Sequence, residues 1–188
     1  MSKQIKLNIG SNNKRIDGFI NVDALELPDV DVVLDITKVP YGNWHNNQVD
    51  EIVCCEVLEH ISYHDVFKVL KEWRRILKPY GKLYIQVPDI GKMCEYYARG
   101  LVCDCVPNKA EKEEDFKAME GCFKCSGKAV INPLRWHVAF TGAQKHEFDT
   151  HKNHFNRGYL DKLLTSAGFK EIIFKDHIYK LIVNCIKL

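Results

Sequence analysis

Short apolar runs alternate with polar turns and helical patterns along most of the chain. Seven runs have the length and composition of β-strands, at residues 5–9, 19–23, 30–35, 51–55, 82–87, 172–174 and 179–186. Apolar residues recur at helical spacing in two further stretches, 64–77 and 159–167. Strands that alternate with helices predict βαβ units and a parallel sheet. Only a short turn separates the last two strands, so they are expected to be antiparallel neighbours.

The periodicity weakens between about residue 89 and residue 141, a stretch too short to build a hydrophobic core of its own. We therefore predict a single α/β domain over residues 1–188, with an insertion at about 89–141. The predicted architecture is a Rossmann-like, mainly parallel seven-stranded sheet with helices on both faces and an antiparallel last strand.

Composition and charge narrow the class of protein. The 188 residues are 46% hydrophobic and 28% charged, which is typical of a soluble globular domain. A formal net charge of +2 offers no electrostatic footprint for nucleic acid or for an anionic membrane. No apolar run is long enough to cross a bilayer, and the first residues are too polar for a signal peptide. These features predict a cytoplasmic protein without membrane insertion; its oligomeric state is left open.

The eight cysteines are expected to be reduced in such a compartment. Four of them form two close pairs within the predicted insertion, Cys103 with Cys105 and Cys122 with Cys125. Their thiolates are able to hold a structural zinc ion, although a C-x-C pair is less typical of zinc sites than C-x-x-C. The alternative is four ordinary thiols.

Small or acidic residues stand where four predicted strands end. Gly10 follows the first strand, Asp23 and Asp35 end the second and third, and Glu56 follows the fourth. Ligands of an open parallel sheet bind beyond the carboxyl ends of its strands. A missing side chain at Gly10 lets a ligand approach the backbone. The carboxylate of Asp23 is suited to both hydroxyls of a ribose, and that of Asp35 to an exocyclic amine. The sequence therefore predicts a nucleoside-binding edge.

Five segments resemble the class I methyltransferases that use S-adenosylmethionine (SAM), in particular the small type 11 group. They are LNIGSNN and GFINVD within 7–23, DI and VPYG within 35–42, VDEIVCCEVLEHI at 49–61, EWRRILKPYGKLYIQVPD at 72–89 and LLTSAGF at 163–169. The chain looks most like small stand-alone methyltransferases of glycan-synthesis gene sets. Those proteins share a GxQ segment and a late His-Lys pair, found here at 142–144 and 151–152.

The resemblance implies SAM as cofactor and a set of residues that contact it: Gly10, Ser11, Asp23, Asp35, Ile36 and Glu56. The chain departs from the family in its first turn, where Ser11 and two asparagines replace the usual further glycines. Asparagine tolerates the left-handed conformation, so a tight turn remains feasible. The same departure removes the G-x-G-x-x-G fingerprint and disfavours a nicotinamide cofactor.

Glu56, Glu59 and His60 follow E-x-x-E-H spacing at the start of a predicted helix. Positions i, i+3 and i+4 share one helical face, and two carboxylates with an imidazole suit Mg²⁺ or Mn²⁺. The same spacing occurs in metal-dependent small-RNA 2′-O-methyltransferases, where a later histidine completes the site. His151 is the matching residue, so the predicted metal ligands are Glu56, Glu59, His60 and His151. In many type 11 methyltransferases the same motif only orders the cofactor loop, and this alternative stays open.

Catalytic roles are assigned to Asp89, His60 and His151. Asp89 follows the fifth strand and is expected to face the same cleft, where it is the metal-free candidate for a general base; its alternative role is a helix N-cap. No spacing singles out His137, His146 or His154.

The predicted function is O-methylation of a sugar hydroxyl on a glycan or glycosylated metabolite, so the expected partner is a glycan or another small-molecule acceptor. The alternative is a methyltransferase-like binding or partner subunit with weak or no catalysis, which the altered glycine turn makes plausible. RNA methylation is disfavoured by the small net charge.

Overall fold

A computed structural model of the protein describes residues 4–101 and 132–188. Seven strands form one sheet in the order β3-β2-β1-β4-β5-β7-β6. Strands β1 to β5 run parallel to one another. Strand β7 is antiparallel to both of its neighbours, β5 and β6. This mixed sheet with helices around it confirms the predicted fold class. The carboxyl ends of β1, β2 and β4 therefore meet at one edge.

The strands are Lys6–Ile9 (β1), Ile20–Asp23 (β2), Val32–Val33 (β3), Val49–Cys55 (β4), Leu77–Pro88 (β5), Phe169–Lys175 (β6) and Lys180–Lys187 (β7). The α-helices are Val66–Ile76 (α1), Ile90–Ala98 (α2), Pro133–Thr141 (α3) and Arg157–Ala167 (α4), and two 3-10 turns span Leu58–His60 and Glu147–Asp149.

Element boundaries differ from prediction mainly around β5. The sequence predicts a turn at residues 78–81, but the strand begins at Leu77 and contains this stretch as a bulge against β4. Tyr80 adopts a left-handed φ of 62° inside the bulge. Helix α4 ends at Gly168, which is left-handed and donates its N–H to the carbonyl of Leu164.

The core lies between the sheet and helices α1 and α4, which contact each other. Trp73 of α1 is fully buried, and its indole N–H donates to the hydroxyl of Tyr41 at 3.2 Å. That hydroxyl in turn donates to the carbonyl of Ile36 at 2.9 Å. The core thereby fixes the loop that leads from β3 along the carboxyl edge of the sheet.

The connection between β1 and β2 contains no helix, and two buried asparagines tie it to the sheet instead. Asn8 donates to the carbonyl of Lys14 at 2.9 Å and to the side-chain oxygen of Asn21 at 2.9 Å. The same oxygen accepts the backbone N–H of Ile16 at 3.0 Å. Buried amide groups need hydrogen-bond partners. The two asparagines supply partners to each other and to backbone groups of the loop.

Two predictions from the sequence concern a zinc site and the absence of a membrane span. The proposed zinc ligands at 103, 105, 122 and 125 lie outside the described residues. Within the two described ranges, no helix combines the length and the hydropathy that a bilayer span requires.

Candidate active site

A cleft of about 290 Å³ opens at the carboxyl edge of the sheet. It is bounded by the ends of β1, β2 and β4 and by the loop after β3. Five of the six residues predicted to contact the cofactor line it: Gly10, Asp23, Asp35, Ile36 and Glu56. Ser11, the sixth, is buried beneath the turn with 1% exposure and does not line the cleft.

The two aspartates of this cleft are held by backbone groups. Asp23 accepts the N–H of Asn12 at 2.8 Å and that of Leu25 at 3.0 Å. Asp35 accepts the N–H and the hydroxyl of Thr37, at 2.9 and 2.7 Å, through one carboxylate oxygen. An ionised carboxylate has about four acceptor positions, so both side chains keep capacity for a ligand. Their orientation is fixed before any ligand arrives.

Gly10 makes the first turn possible. Its φ is 70°, and a Cβ at this position would overlap the side chain of Val57. Asn12 is left-handed as well, with φ 43°, in the place of the missing family glycines. The turn thus forms with one glycine, because asparagine takes the second left-handed position.

The far wall of the cleft comes from a segment that the sequence analysis did not assign to the cofactor. His146, Phe148, Asp149 and Lys152 line it, around the 3-10 turn Glu147–Asp149. No periodicity marks this segment, and its only sequence signal is its position between GAQ and the His-Lys pair.

The GAQ segment shapes that wall. Gly142 has φ 73°, and a Cβ there would overlap the carbonyl oxygen of Asp149. Gln144 donates its N–H to the same carbonyl at 3.3 Å, and His151 donates its N–H to Thr141 at 3.2 Å. The glycine therefore closes a compact loop whose two ends meet at the cleft.

A second cleft of about 430 Å³ adjoins the first. Gly10, Asn12, Glu56, His60 and Asp149 line both. The other lining residues of the second cleft are Lys14, Cys55, Glu59, Pro88, Arg135, Val138, Ala139, Ala143, His151, Tyr179 and Lys180. Most of these side chains are polar or charged, so the second cleft suits a ligand rich in hydrogen-bonding groups.

Glu59, His60 and His151 meet in the second cleft. One potential ligand atom from each lies within 4.8 Å of the other two, and the two imidazole rings are 4.8 Å apart between centroids. Glu59 is only 1% exposed, and neither of its carboxylate oxygens has a hydrogen-bond partner among the described residues. A buried carboxylate without a donor among the described residues therefore lies beside two imidazoles, an arrangement that a cation or a proton would satisfy.

Backbone hydrogen bonds bring these distant segments together. The carbonyl of Glu59 accepts the N–H of Lys152 at 2.8 Å and that of Asn153 at 3.0 Å. This contact lays the late His-Lys segment directly over the 3-10 turn Leu58–His60. The predicted convergence of His151 with Glu59 and His60 is thus what the structure shows.

Both histidines have a defined tautomer. Nδ1 of His60 lies 3.3 Å from the carbonyl of Thr150, and Nδ1 of His151 lies 2.9 Å from that of Ala139. A carbonyl oxygen only accepts, so each Nδ1 carries the hydrogen and each Nε2 keeps its lone pair. Backbone carbonyls orient metal-binding histidines in the same way.

Burial sets the charges of the trio. It raises the pKa of Glu59 well above the ordinary range, and the nearby charge of Glu56 raises it further. Burial also lowers the pKa of His60, with an added contribution from His151, and lowers the pKa of His151. The imidazoles are therefore neutral at neutral pH, as metal binding requires.

Glu56 does not join this trio, although it belongs to the predicted metal set. It precedes the 3-10 turn with a left-handed φ of 56°, so the assumed helical face does not include it. Its carboxylate instead accepts from the side-chain amide of Gln86 at 2.8 Å and lies 3.5 Å from Nζ of Lys180. Glu56 thus borders both clefts as part of an ion pair.

Asp89 does not line either cleft, contrary to the expectation that it faces them. It is 5% exposed and caps α2, where its carboxylate accepts the N–H of Lys92 at 3.2 Å. The structure therefore gives Asp89 the N-cap role, the alternative weighed from the sequence.

The raised pKa of Glu59 predicts a pH-dependent stability in metal-free protein. A group with a raised folded-state pKa stabilises fully below its unfolded pKa, near 4.3, and loses that contribution as the pH rises through the folded value. Glu59→Gln removes this titration. We expect the variant to gain about 1–3 kcal/mol over the parent at alkaline pH, the usual cost of an unsatisfied buried group.

Urea denaturation in EDTA at about pH 5 to pH 9 measures the difference in the free energy of unfolding between the parent and Glu59→Gln. Glu26→Gln, at an exposed position, is the matched control and should leave the pH profile unchanged. Parallel profiles for the parent and Glu59→Gln would show that the carboxylate is not buried in its charged form.

Comparison with known proteins agrees with this geometry. Residues 13–85 match the model of a family described as a methyltransferase domain. No curated protein matches the chain in sequence. An S-adenosylmethionine dependent methyltransferase from Mesorhizobium loti superposes with a TM-score of 0.56 at 14% identity, over 99% of this chain and 92% of that one.

Two further solved structures share the fold. The 1,6-didemethyltoxoflavin-N1-methyltransferase of Burkholderia thailandensis, which contains bound S-adenosylhomocysteine, gives a TM-score of 0.55 at 11% identity, over 97% of this chain and 70% of that one. The CurJ carbon methyltransferase gives 0.54 at 14% identity over 98% of this chain. The chain spans 49% of the latter, about half of its length.

The fold is that of the SAM-dependent methyltransferases, and the matched domain supports the predicted enzyme class. CurJ is described as a carbon methyltransferase and the Burkholderia enzyme as an N1-methyltransferase, so the likeness shows the fold and leaves the acceptor to be argued from the site.

Proposed function

We propose that this chain transfers the methyl group of SAM to a sugar hydroxyl of a glycan or glycosylated metabolite, with Mg²⁺ or Mn²⁺ held by Glu59, His60 and His151. One observation carries the proposal: in the second cleft, the buried carboxylate of Glu59, which has no hydrogen-bond partner among the described residues, lies beside the imidazoles of His60 and His151. A buried carboxylate beside two neutral imidazoles is a favourable ligand set for a divalent cation.

The first cleft provides the groups that SAM needs. Asp23 would accept hydrogen bonds from the ribose hydroxyls, and Asp35 would accept from the exocyclic amine of adenine. Apolar side chains, including Ile36 and Phe148, offer surfaces for the base. The negative charge of Glu56 lies where the first cleft opens into the second and favours a cationic sulfonium there.

The second cleft supports a polyhydroxylated acceptor. Lys14 and Lys180 present ammonium donors, and Asn12 and Asp149 present acceptors outside the trio, so a sugar ring finds partners for several hydroxyls. His60 is the member of the trio that lines both clefts, so in this proposal the acceptor oxygen would meet the methyl carbon beside it. Orientation of this kind contributes much of the rate of a group transfer.

The chemistry is a single displacement. The acceptor oxygen forms a bond to the methyl carbon, the sulfur–methyl bond breaks with its electrons left on sulfur, and the hydroxyl proton passes to water in the open cleft. A divalent cation supplies Lewis-acid activation that lowers the pKa of a hydroxyl. Glu59, His60 and His151 would hold that cation, and the hydrogen bonds of both Nδ1 atoms keep the rings oriented.

Turnover with isotopically labelled SAM tests the proposal. The acceptor panel contains glycans, sugar nucleotides and, as a different class, short RNA, each with Mn²⁺ or with EDTA. Labelled glycan that disappears in EDTA and returns with Mn²⁺ is the expected result. Transfer that persists in EDTA contradicts the metal, and transfer to RNA alone contradicts the acceptor class. SAM binding without transfer to any member contradicts catalysis and favours a binding subunit.

A further inference from the structure

A separate cavity of about 260 Å³ lies at the opposite edge of the sheet from the two clefts. It is formed where α1 ends, β4 begins and β7 ends. Six residues line it: Asn46, Asn47, Lys71, Arg74, Arg75 and Lys187. Four are cationic and none is acidic, which distinguishes this cavity from both clefts of the active site.

Acidic groups neutralise only one of these four cations. Glu72 pairs with Arg75 through two contacts of 2.6 and 2.7 Å. Within residues 4–101 and 132–188, no salt bridge involves Lys71, Arg74 or Lys187. Arg74 donates its Nε–H to the carbonyl of Gly168 at 3.1 Å, and its Nη2 makes a long contact of 3.5 Å with the main-chain oxygen of Leu188, the last residue of the sequence. Excess positive charge therefore surrounds the cavity.

Lys187 gives the cavity a fixed ammonium group. The residue is 9% exposed, and its Nζ donates to the side-chain oxygen of Asn47 at 2.6 Å and to the carbonyl of Leu77 at 2.8 Å. An ammonium has three donors, so one is left for a ligand in the cavity that Lys187 lines. Burial lowers the pKa of Lys187, and the charges of Arg74 and Arg75 lower it further. A bound anion would relieve this repulsion.

The end of α1 explains only some of these cations. Its carbonyls at Arg75 and Ile76 already accept the N–H groups of Asn47, at 3.1 Å, and Gln48, at 2.8 Å. Helix C-termini attract basic residues, which accounts for Arg74 and Arg75. It does not account for Lys187, which comes from another element, or for the absence of an acidic residue from the lining.

We propose that this cavity is a binding site for a phosphate or diphosphate group, separate from the active site and independent of the proposed function. Arginine forks and lysine ammonium groups are the usual partners of phosphate oxygens. A diphosphate matches the three cations that have no acidic partner. The ligand is either the free ion or the terminal group of a phosphorylated metabolite.

Calorimetric titration with inorganic diphosphate tests the site. The protein is metal-free, and saturating S-adenosylhomocysteine and EDTA keep the probe from the cofactor cleft and the Glu59 trio. Lys71→Glu reverses an exposed charge of the lining, and we expect it to weaken binding about tenfold or more. Lys175→Glu is the matched control, an exposed charge reversal at the end of β6, beside Ile182 of β7 and outside the cavity. It should change the affinity by less than about twofold.

Equal affinities for the parent and Lys71→Glu, or no binding at millimolar diphosphate, would overturn the proposal. A loss caused by Lys14→Ala instead would place the anion in the acceptor cleft and also overturn it. Titration with uridine diphosphate separates the two ligand sources: weaker binding than inorganic diphosphate indicates the free ion, and stronger binding indicates a phosphorylated metabolite. Both require the same sensitivity to Lys71→Glu.

Discussion

Glu59→Gln is expected to lower the turnover number by about 10²–10⁴-fold while the dissociation constant of S-adenosylhomocysteine changes by less than about threefold. Glutamine has the size of glutamate but lacks its charge, and its amide can donate to the lone pair of a neighbouring imidazole. The trio then loses its anionic ligand and its empty acceptor positions. The cofactor cleft is untouched, because Glu59 lines only the second cleft.

Two measurements make this result specific. Metal analysis should find bound Mn²⁺ in the parent and none in Glu59→Gln or His151→Ala. Glu147→Gln is the matched control, an exposed carboxylate close in sequence to His151 that lines neither cleft, and should keep full turnover. A variant that loses metal but keeps turnover would separate the trio from catalysis and return the search for a base to the rest of the second cleft.

The cofactor edge of the site could be predicted because it depends on local patterns. Alternating and apolar runs locate strands, and parallel strands bring their carboxyl ends to one edge. The positions of four residues in the sequence were therefore enough to predict that they share one edge. The structure places all four around one cleft: Gly10, Asp23, Asp35 and Glu56. The left-handed turn at Gly10 was likewise readable from residue type.

Backbone conformation and long-range contacts could not be predicted in this way. Glu56 stands apart from Glu59, His60 and His151 because its backbone is left-handed, a conformation that no spacing rule encodes. The wall around Asp149 depends on hydrogen bonds between segments 90 residues apart, such as that between His60 and Thr150. Asp89 follows a strand, as a catalytic residue would. Its carboxylate instead caps the start of α2, where it accepts a backbone N–H. Local sequence is compatible with both roles.

The second large effect is expected at Asp23. Asp23→Ala should weaken SAM or S-adenosylhomocysteine binding by about 1–3 kcal/mol, or about 5- to 150-fold, the cost of losing charge-assisted hydrogen bonds to two hydroxyls. Asp35→Ala should have a smaller effect, about 2- to 12-fold, because one neutral amine donor is lost. Calorimetric titration of all variants with S-adenosylhomocysteine gives this ranking directly.

Asp23 also holds the N–H groups of Asn12 and Leu25, so its loss loosens the turn as well as the contact. Asp23→Asn separates the two effects. Its amide keeps one acceptor for the backbone but loses the charge, so it should preserve the melting temperature better than Asp23→Ala while still weakening binding. Asp17→Ala, an exposed position between β1 and β2, is the control. If Asp23→Ala binds the cofactor product as tightly as Asp17→Ala does, the ribose lies elsewhere, and the orientation of SAM in the first cleft must be reversed.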